Sequence, residues 1–303
     1  MWQPDPAWHP LPGGAGPSTL GVWRTVLGGR PVVVKRLARP AEHDPAELRD
    51  PHHFAYWRRA ADVVTAGLVL DTPGLRAPRL TAVDEDDEGV TLTEDWVEDA
   101  ATSGLFRAHA LARFAGARLE PADWLARDQL RDRLRRTERQ GGWRTLARTT
   151  VADVADHLWQ RRERMLGELD GLPQVLQHGD PVPGNLPGRD GDEVVAVDWA
   201  TLGRGPVGGD LGLLALQARE EFEPLLEAYV LGLPEGLATP EEAALGARVT
   251  AVLTALSRAE WALSRVAGGE GALAGKYRHP AVAPHLRALQ RQFPQLEALL
   301  ERS

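Results

Sequence analysis

Three polar residues in the second half of the chain have the types and the spacing that a magnesium-nucleotide site requires. Asp180 and Asn185 lie close together in sequence, and a short apolar stretch over residues 194–197 leads directly into Asp198. In phosphoryl transfer from Mg-ATP, one carboxylate orients the attacking hydroxyl, while an amide and a second carboxylate hold the magnesium. We therefore expect Asp180 to orient the hydroxyl, and Asn185 and Asp198 to bind Mg²⁺.

Each of these residues also has an ordinary structural interpretation. Asp180 lies between glycine and proline, where it could cap a turn, and an asparagine after glycine, as at Asn185, is a common turn residue. The combination of residues favours chemistry, because Asp198 ends a strand that reads as buried, where an uncompensated charge would be costly. Mg²⁺, which prefers hard oxygen ligands, would supply the compensating charge.

The distribution of lysine predicts a phosphate-contacting cation near the N-terminus. Lysine occurs at only two positions, Lys35 and Lys276, while arginine serves as the cation elsewhere. Lys35 ends the apolar run PVVVK, and a compact ammonium differs most from a guanidinium where it must meet phosphate oxygens. We therefore expect Lys35 to contact the phosphates of the nucleotide.

Residues 19–37 are predicted to form a β-hairpin that carries Lys35. Two β-rich runs flank Gly28-Gly29, a pair suited to the positive φ angles of a two-residue turn. The preceding residues 11–18 are small enough to let backbone N–H groups approach phosphates closely, although a Gly/Pro-rich linker has the same composition. The hairpin that follows favours phosphate binding. We therefore expect nucleotide contacts from Gly14, Gly16 and Ser18.

Together these motifs resemble those of the aminoglycoside phosphotransferase family of small-molecule kinases, with its choline kinase-like relatives. H-G-D-x-x-x-x-N at 178–185 stands where protein kinases carry H-R-D-x-x-x-x-N, and V-D-W at 197–199 stands where they carry D-F-G. G-x-G-P-x-G-x-D-L follows at 203–211. The resemblance covers nearly the whole chain and implies a small-molecule kinase that uses ATP, or GTP, with Mg²⁺. A protein kinase is disfavoured, because HGD replaces HRD and no long activation segment follows.

The resemblance also implies supporting residues around the catalytic loop. His178 corresponds to a family histidine that packs and hydrogen-bonds within this loop, and we treat it as structural. Trp199 is expected to pack beneath Asp198. Asp210, at a helix start, would either cap that helix or hydrogen-bond back to the loop, and the resemblance implies the second.

One position departs from the family pattern. Residues 51–70 are predicted to be helical, and in YWRRA the residue Ala60 stands where a glutamate normally pairs with the strand lysine. Asp62 is near in sequence, but two residues along a helix direct it elsewhere. Either another carboxylate serves Lys35 or the lysine is held less firmly. A nucleotide-binding pseudokinase without turnover is therefore an alternative to an active enzyme.

The order of the elements predicts an α+β, bilobal protein-kinase-like fold. A β-rich first third is followed by a largely helical remainder, which we divide into a nucleotide-binding lobe, 1–96, and a catalytic and substrate-binding lobe, 97–303. Residues 93–97 would form the hinge, whose position predicts cofactor contacts from Glu94 and Trp96. Residues 79–96 read as two strands joined by a solvated acidic turn, and the Arg/Glu-rich helices over 103–169 read as solvent-facing.

The resemblance implies that the acceptor is a small molecule with a hydroxyl group. Family resemblance places its site in the helical lobe, facing Asp180, and acidic and aromatic side chains there would suit a cationic amino sugar. An aminoglycoside or related antibiotic is the leading acceptor, which implies a resistance enzyme, and a metabolic kinase of amino sugars, sugars or amino alcohols is the alternative. Solvated helix faces explain the same side chains. The candidates for acceptor contacts are Glu220, Glu221, Glu223, Glu260 and Trp261.

Composition narrows the class of protein. Of 303 residues, 43% are hydrophobic and 26% charged, as in ordinary globular proteins, and the absence of cysteine excludes thiolate chemistry and fits a cytoplasmic enzyme. A formal net charge of −8 argues against nucleic acid as a partner. No apolar run approaches the roughly 18 residues of a membrane span, and the first residues lack the pattern of a signal peptide. Nucleotide preference and oligomeric state are left open.

Overall fold

A computed structural model describes residues 2–12, 18–139, 156–267, 279–280 and 282–300. The described chain begins with a β-sheet and continues mainly as helices, which confirms the predicted α+β, kinase-like architecture. The division at residue 96 stays a prediction. Among the described helices, none has both the length and the hydropathy to cross a bilayer.

The N-terminal sheet is antiparallel and has five strands in the order β1-β2-β3-β6-β5. The predicted hairpin is confirmed: β2 and β3 are joined at Gly28 and Gly29, whose φ angles of 56° and 79° only glycine adopts readily. The register places Lys35 opposite Leu92 and Val33 opposite Glu94, and of these residues Val33, Lys35 and Glu94 line the same cavity. The strands are β1 (His9–Pro10), β2 (Thr19–Leu27), β3 (Arg30–Ala38), β5 (Leu80–Asp86) and β6 (Gly89–Asp95).

One helix, α1 (Arg59–Ala66), covers this sheet and is shorter than predicted. Residues 51–58 form turns instead, because local side-chain acceptors and the Arg59 guanidinium capture backbone groups that a longer helix would use. Gly67, with φ 64°, ends the helix in the left-handed conformation. A small core of Leu37, Ala60, Ala61, Val64, Val90 and Leu92 joins α1 to the sheet.

The acidic turn between β5 and β6 is more than the solvated loop predicted. Asp86 accepts a hydrogen bond of 2.6 Å from Arg36, which is 1% exposed and also donates to Thr91. Glu85 pairs with Arg58 next to α1. Because a buried guanidinium needs an anion or several acceptors, this turn supplies a counter-charge to the sheet.

The helical part surrounds one large core. Its helices are α2 (Gly104–Ala115), α3 (Gln129–Arg139), α4 (Arg162–Asp170), α5 (Gly209–Ala215), α6 (Phe222–Gly232), α7 (Pro240–Ala267), α8 (Ala283–Arg291) and α9 (Phe293–Leu300). Ser103 caps α2 by accepting from the Phe106 N–H at 3.2 Å. The long helix α7 is central, with Val249, Val252 and Leu256 fully buried. These helices share one buried core with the segment that carries the predicted site residues.

Short strands frame the catalytic stretch on both sides. β7 (Gln174–Gln177) pairs antiparallel with β10 (Gly203–Pro206), so residues 178 and 202 lie close together. Between them, β8 (Gly188–Asp190) and β9 (Glu193–Val195) form a hairpin, and β4 (Leu75–Arg76) pairs in parallel with β9. The apolar stretch 194–197 is thus a strand for only part of its length. Both ends of the loop that carries Asp180 and Asp198 are fixed by backbone pairing.

Candidate active site

Lys35 and Asp198 meet across the cleft although 163 residues separate them in sequence. The Lys35 ammonium lies 2.5 Å from Asp198 Oδ1, and the Lys35 side chain is 11% exposed while that of Asp198 is 44% exposed. Asp198 has a left-handed backbone with φ 61°, which is unusual for a residue other than glycine and turns its carboxylate into the cleft. A cation from β3 and an anion from the catalytic stretch thus share one site.

Opposing effects set the charge of Asp198. Burial alone would raise the pKa of its carboxyl, but the Lys35 ammonium and the backbone N–H of Ala200 outweigh burial and hold the pKa below its usual range. Asp198 is therefore anionic at neutral pH. A metal ion arriving in the cleft would meet a carboxylate that is already charged.

Asn185 connects Asp180 to Asp198. Its Nδ2 donates 2.9 Å to the backbone carbonyl of Asp180, which leaves its Oδ1 as the free acceptor. The backbone oxygen of Asn185 also accepts 2.9 Å from the Val197 N–H, next to Asp198. The described residues hold no cluster of three or more His, Cys, Asp or Glu that could bind a metal. An amide oxygen and one carboxylate fit Mg²⁺, which usually keeps several waters and phosphate oxygens as its other ligands.

The loop before Asp180 is held by its buried neighbours. The N–H groups of His178 and Gly179 donate to the two oxygens of Asp210, at 2.7 and 3.0 Å. His178 Nδ1 accepts from the Asp180 N–H, so its Nε2 donates to the Val197 carbonyl at 3.0 Å. Burial lowers the pKa of His178 and keeps the ring neutral, while burial raises the pKa of Asp210 to about 7 against those two donors. Trp199, 2% exposed, packs on the His178 ring at 4.8 Å.

Gly179 allows the tight path of this loop. Its φ is 85°, and a Cβ there would lie 2.4 Å from the Thr201 carbonyl and 2.6 Å from the Gln129 amide. Gln129 itself donates 2.9 Å to the Thr201 carbonyl. A side chain at position 179 would therefore displace the backbone on which Asp180 is carried.

A cavity of about 360 Å³ adjoins Lys35, Asn185 and Asp198. The predicted hinge residues Glu94 and Trp96 line it, with apolar walls that include Val22, Val33 and Val197. Burial raises the pKa of Glu94 to about 7, although the nearby Lys35 ammonium opposes this. The indole N–H of Trp96 is buried without a partner among the described residues. Apolar walls, unpaired polar groups and a lysine suit a nucleotide base and its phosphates.

The predicted phosphate loop is described only in part. Gly14 and Gly16 lie outside the described residues. Ser18 stands just before β2, where its carbonyl accepts 2.7 Å from the Ala38 N–H and its hydroxyl is buried without a partner among the described residues. Ser18 does not line the 360 Å³ cavity, whereas Leu11 and Pro12 do.

Ala60 is part of the sheet–helix core, 5% exposed and packed with Leu37 and Leu92. The sequence allowed two possibilities for Lys35: either another carboxylate pairs with it, or its side chain is held less firmly. In the structure, Asp198 is the carboxylate that pairs with Lys35, and Glu94 lies on the strand next to Lys35.

The acidic residues predicted for acceptor binding have other positions. Glu220 accepts 2.7 Å from the Gly104 N–H at the start of α2, and Glu223 pairs with Arg248. Glu221 precedes α6, and Glu260 is 1% exposed. A cavity of about 70 Å³ is lined by Gly179, and another of about 180 Å³ is lined by Arg258, which contacts Asp180. None of these four glutamates lines either cavity. Of the predicted acceptor contacts, only Trp261 lines one of them.

Arg59 is a site-supporting residue that sequence reasoning missed. It is fully buried and donates to five backbone carbonyls, those of Pro51, His53, Phe54, Trp124 and Ala200. Burial lowers the pKa of Arg59 to about 10, so it stays protonated at neutral pH. Since Ala200 follows closely on Asp198, this guanidinium ties α1 to the catalytic stretch. A pair of arginines at a helix start gives no signal for this role.

Helix α3, which lies in the segment predicted to face solvent, contributes to the loop, and this corrects that expectation. On α3, Gln129 contacts the Thr201 carbonyl, and Arg133 donates 3.1 Å to the Gly179 carbonyl. On α7, the Arg258 guanidinium lies 3.5 Å from Asp180 Oδ1. Arg133 stacks on the Phe54 ring at 5.0 Å. Arginine-rich composition concealed these contacts, because composition does not tell which face of a helix is buried.

Comparisons with known proteins agree with this geometry. The model of the phosphotransferase enzyme family, APH, matches residues 8–245. No curated protein matches the sequence. Among solved structures, a choline/ethanolamine kinase family protein from Mesorhizobium loti is 17% identical with a TM-score of 0.56, covering 95% of this chain and 92% of that one.

Two further structures are antibiotic phosphotransferases. An aminoglycoside phosphotransferase from Alicyclobacillus acidocaldarius is 15% identical, with a TM-score of 0.53 and coverage of 98% of this chain and 93% of that one. A spectinomycin phosphotransferase in complex with ADP and spectinomycin is 10% identical, with a TM-score of 0.60 and coverage of 95% and 92%. At these identities the likeness shows the fold alone. With the family match over most of its length, the chain belongs to the phosphotransferase enzyme family and is a phosphotransferase that acts on hydroxyl groups.

Proposed function

We propose that the protein transfers the γ-phosphoryl group of Mg-ATP, or Mg-GTP, to a hydroxyl of a small molecule. The observation that carries this proposal is a continuous set of contacts through the cleft. Lys35 pairs with Asp198 at 2.5 Å, the Val197 N–H bonds to Asn185, and Asn185 bonds to Asp180. A phosphate contact, two metal ligands and a hydroxyl-orienting carboxylate would thus lie in the order that transfer requires.

In this proposal each residue contributes by position. Asp180 orients the acceptor hydroxyl and takes its proton late, since the loose transition state of phosphoryl transfer makes little demand on a base. Lys35 contacts the phosphates, and Asn185 and Asp198 hold Mg²⁺. Bound Mg²⁺ would neutralise negative charge on the phosphates. His178 and Asp210 keep Asp180 in place through the loop backbone.

Two observations favour turnover over a nucleotide-binding module without activity. Lys35 keeps a carboxylate partner although Ala60 replaces the helix glutamate. Asp210 accepts hydrogen bonds from two backbone N–H groups, and these bonds fix the loop that carries Asp180. A scaffold that merely binds nucleotide has no chemical need for the second arrangement.

A metabolic small-molecule kinase is favoured here over an antibiotic resistance enzyme. The aminoglycoside expectation depended on acidic side chains around the acceptor. Glu220 and Glu223 instead serve α2 and Arg248, and Glu260 is buried away from the cavities beside the loop. The 180 Å³ cavity that is lined by Arg258 therefore has no carboxylate among its described lining residues that would recognise a polycation.

The test is ADP release from ATP across a panel of sugars, sugar acids, amino alcohols, amino sugars and aminoglycosides. Each active compound would be checked by mass spectrometry for one added phosphoryl group. We expect transfer to one chemical class, and its complete loss when Mg²⁺ is removed by chelation. ATP binding without transfer to any hydroxyl compound, including hydroxy acids and sugar phosphates, would contradict the proposal.

A further inference from the structure

A second cavity, of about 180 Å³, lies beside Asp180 and shares no lining residue with the nucleotide cavity. Its walls come from α3, from α7 and from the turn before α1. It reaches the reacting centre through Arg258, which lies 3.5 Å from Asp180 Oδ1. The lining residues are Phe54, Arg133, Arg136, Thr137, Thr254, Ser257, Arg258 and Trp261.

The charge of this cavity is positive. Three of the described lining residues are arginines, and none is a carboxylate. Arg258 has Asp180 as its ion-pair partner. Among the described residues, Arg133 donates only to the neutral Gly179 carbonyl, and it stacks on Phe54. Arg136 is exposed and forms no ion pair with a described residue. Three guanidinium groups and no carboxylate thus line the cavity, while the carboxylates of Asp180, Asp210 and Asp132 act on Arg133 from outside the lining.

The environment makes these charges costly without an anion. Burial lowers the pKa of both Arg133 and Arg258, and in each case the nearby Asp180 carboxylate opposes that effect. Arginine does not lose its proton in proteins, so the charge must be compensated by other means. Guanidinium groups bind carboxylates and phosphates through paired, charge-assisted hydrogen bonds.

Neutral groups in the wall suit the rest of a small polar molecule. Thr254, Ser257 and Trp261 share one face of α7 with Arg258, at spacings of three and four residues. Thr254 is 1% exposed, and its hydroxyl has no hydrogen-bond partner among the described residues. Ser257 adds a hydroxyl, and the Trp261 ring is 38% exposed.

We propose that the acceptor is a small hydroxyl compound that also carries a carboxylate or phosphate ester, bound by Arg133, Arg136 and Arg258. This inference rests on the proposed function and names the substrate class of the same site. With the anion held by the arginines, the hydroxyl lies at Asp180. The acceptor oxygen forms the new bond to the γ-phosphorus, the bond from that phosphorus to ADP breaks, and the hydroxyl proton passes to Asp180.

The arginines could instead contact only the phosphoryl group in transfer. That role would not depend on the charge of the acceptor, because the same group is transferred to every acceptor. Acceptor recognition predicts a difference between charged and neutral versions of one molecule. It also predicts that the loss of Arg136, the arginine least involved in the loop, raises KM more than it lowers kcat.

The experiment uses matched pairs of acceptors with the full-length protein. Each hydroxy acid is compared with its primary amide, and each sugar phosphate with the free sugar, which separates carboxylate from phosphate recognition. Transfer is measured with Mg-ATP, and binding is measured by calorimetry in the presence of Mg-ADP. We expect the anionic member of at least one pair to bind at least about tenfold more tightly and to be the better acceptor.

Arg136→Gln supplies the residue test, with Arg164→Gln as the control. Arg164 is an exposed arginine on α4 whose ion-pair partner among the described residues is Glu168, at 3.7 Å. Arg136→Gln should raise the KM for the anionic acceptor about fivefold, which corresponds to roughly 1 kcal/mol, and should leave the KM for the neutral acceptor unchanged. Arg164→Gln should change neither KM. Anions that bind no tighter than their neutral partners, or preferred transfer to amino sugars, would overturn the inference. Tight anion binding without transfer would instead count against the proposed function alone.

Discussion

Replacing Asp210 by alanine tests how the catalytic loop is held. Asp210 is 3% exposed, and its two oxygens accept from the His178 and Gly179 N–H groups at 2.7 and 3.0 Å. Alanine would leave both buried N–H groups without a partner, at about 1–3 kcal/mol each, so the free energy of unfolding should fall by about 2–6 kcal/mol. Since Asp180 follows directly, kcat should fall as well.

Urea unfolding followed by circular dichroism measures the first effect. Asp190→Ala is the control, because Asp190 is 62% exposed at its side chain and pairs with Arg76 at the surface, where we expect a loss below about 1 kcal/mol. Asp210→Asn retains one acceptor oxygen, so its free energy of unfolding should lie between those of Asp210→Ala and the wild type. If Asp210→Ala unfolds within about 1 kcal/mol of wild type, the two hydrogen bonds do not hold the loop as described.

Three further predictions concern neighbouring groups. Gly179→Ala, which combines φ 85° with a Cβ 2.4 Å from the Thr201 carbonyl, should cost at least about 2 kcal/mol in the same urea assay and abolish transfer; wild-type activity would contradict this. Arg59→Met leaves five carbonyls without their donor and should lower the free energy of unfolding by about 3–5 kcal/mol. A loss under about 1 kcal/mol would argue against a stabilising role for these hydrogen bonds. Because the pKa of Glu94 is raised to about 7, Glu94 becomes charged as the pH rises through that value, and ADP should then bind about fivefold more weakly. Glu94→Gln should remove this part of the pH dependence of ADP binding. Identical pH profiles of ADP affinity for wild type and Glu94→Gln would contradict the prediction.

The parts of the fold that follow local rules could be predicted from sequence. Gly28-Gly29 determines its turn through positive φ angles, and the hairpin therefore appears where expected. Asp180, Asn185 and Asp198 are spaced along one stretch of chain, so the structure brings them together with Lys35 as the motif indicated. Their catalytic roles stay predictions.

The parts that depend on distant partners could not be predicted. Helix α1 begins late because Arg59 captures the carbonyls of the preceding turns, and neither propensity nor periodicity reveals that competition. Glu220 reads as an acidic contact for a ligand, yet its partner is the N-terminus of α2. Arg133 and Arg258 lie on two helices whose buried faces are determined only by tertiary packing.

Phosphoryl transfer by Asp180→Asn tests the central claim most directly. Asparagine has nearly the same shape and keeps one oxygen near the hydroxyl, but it cannot accept the proton. On the best acceptor of the panel, kcat should fall by about 10²–10⁴-fold, with the dissociation constant for Mg-ATP changed by less than about threefold. Transfer within about tenfold of wild type, at unchanged ATP affinity, would show that Asp180 does not serve the reacting hydroxyl.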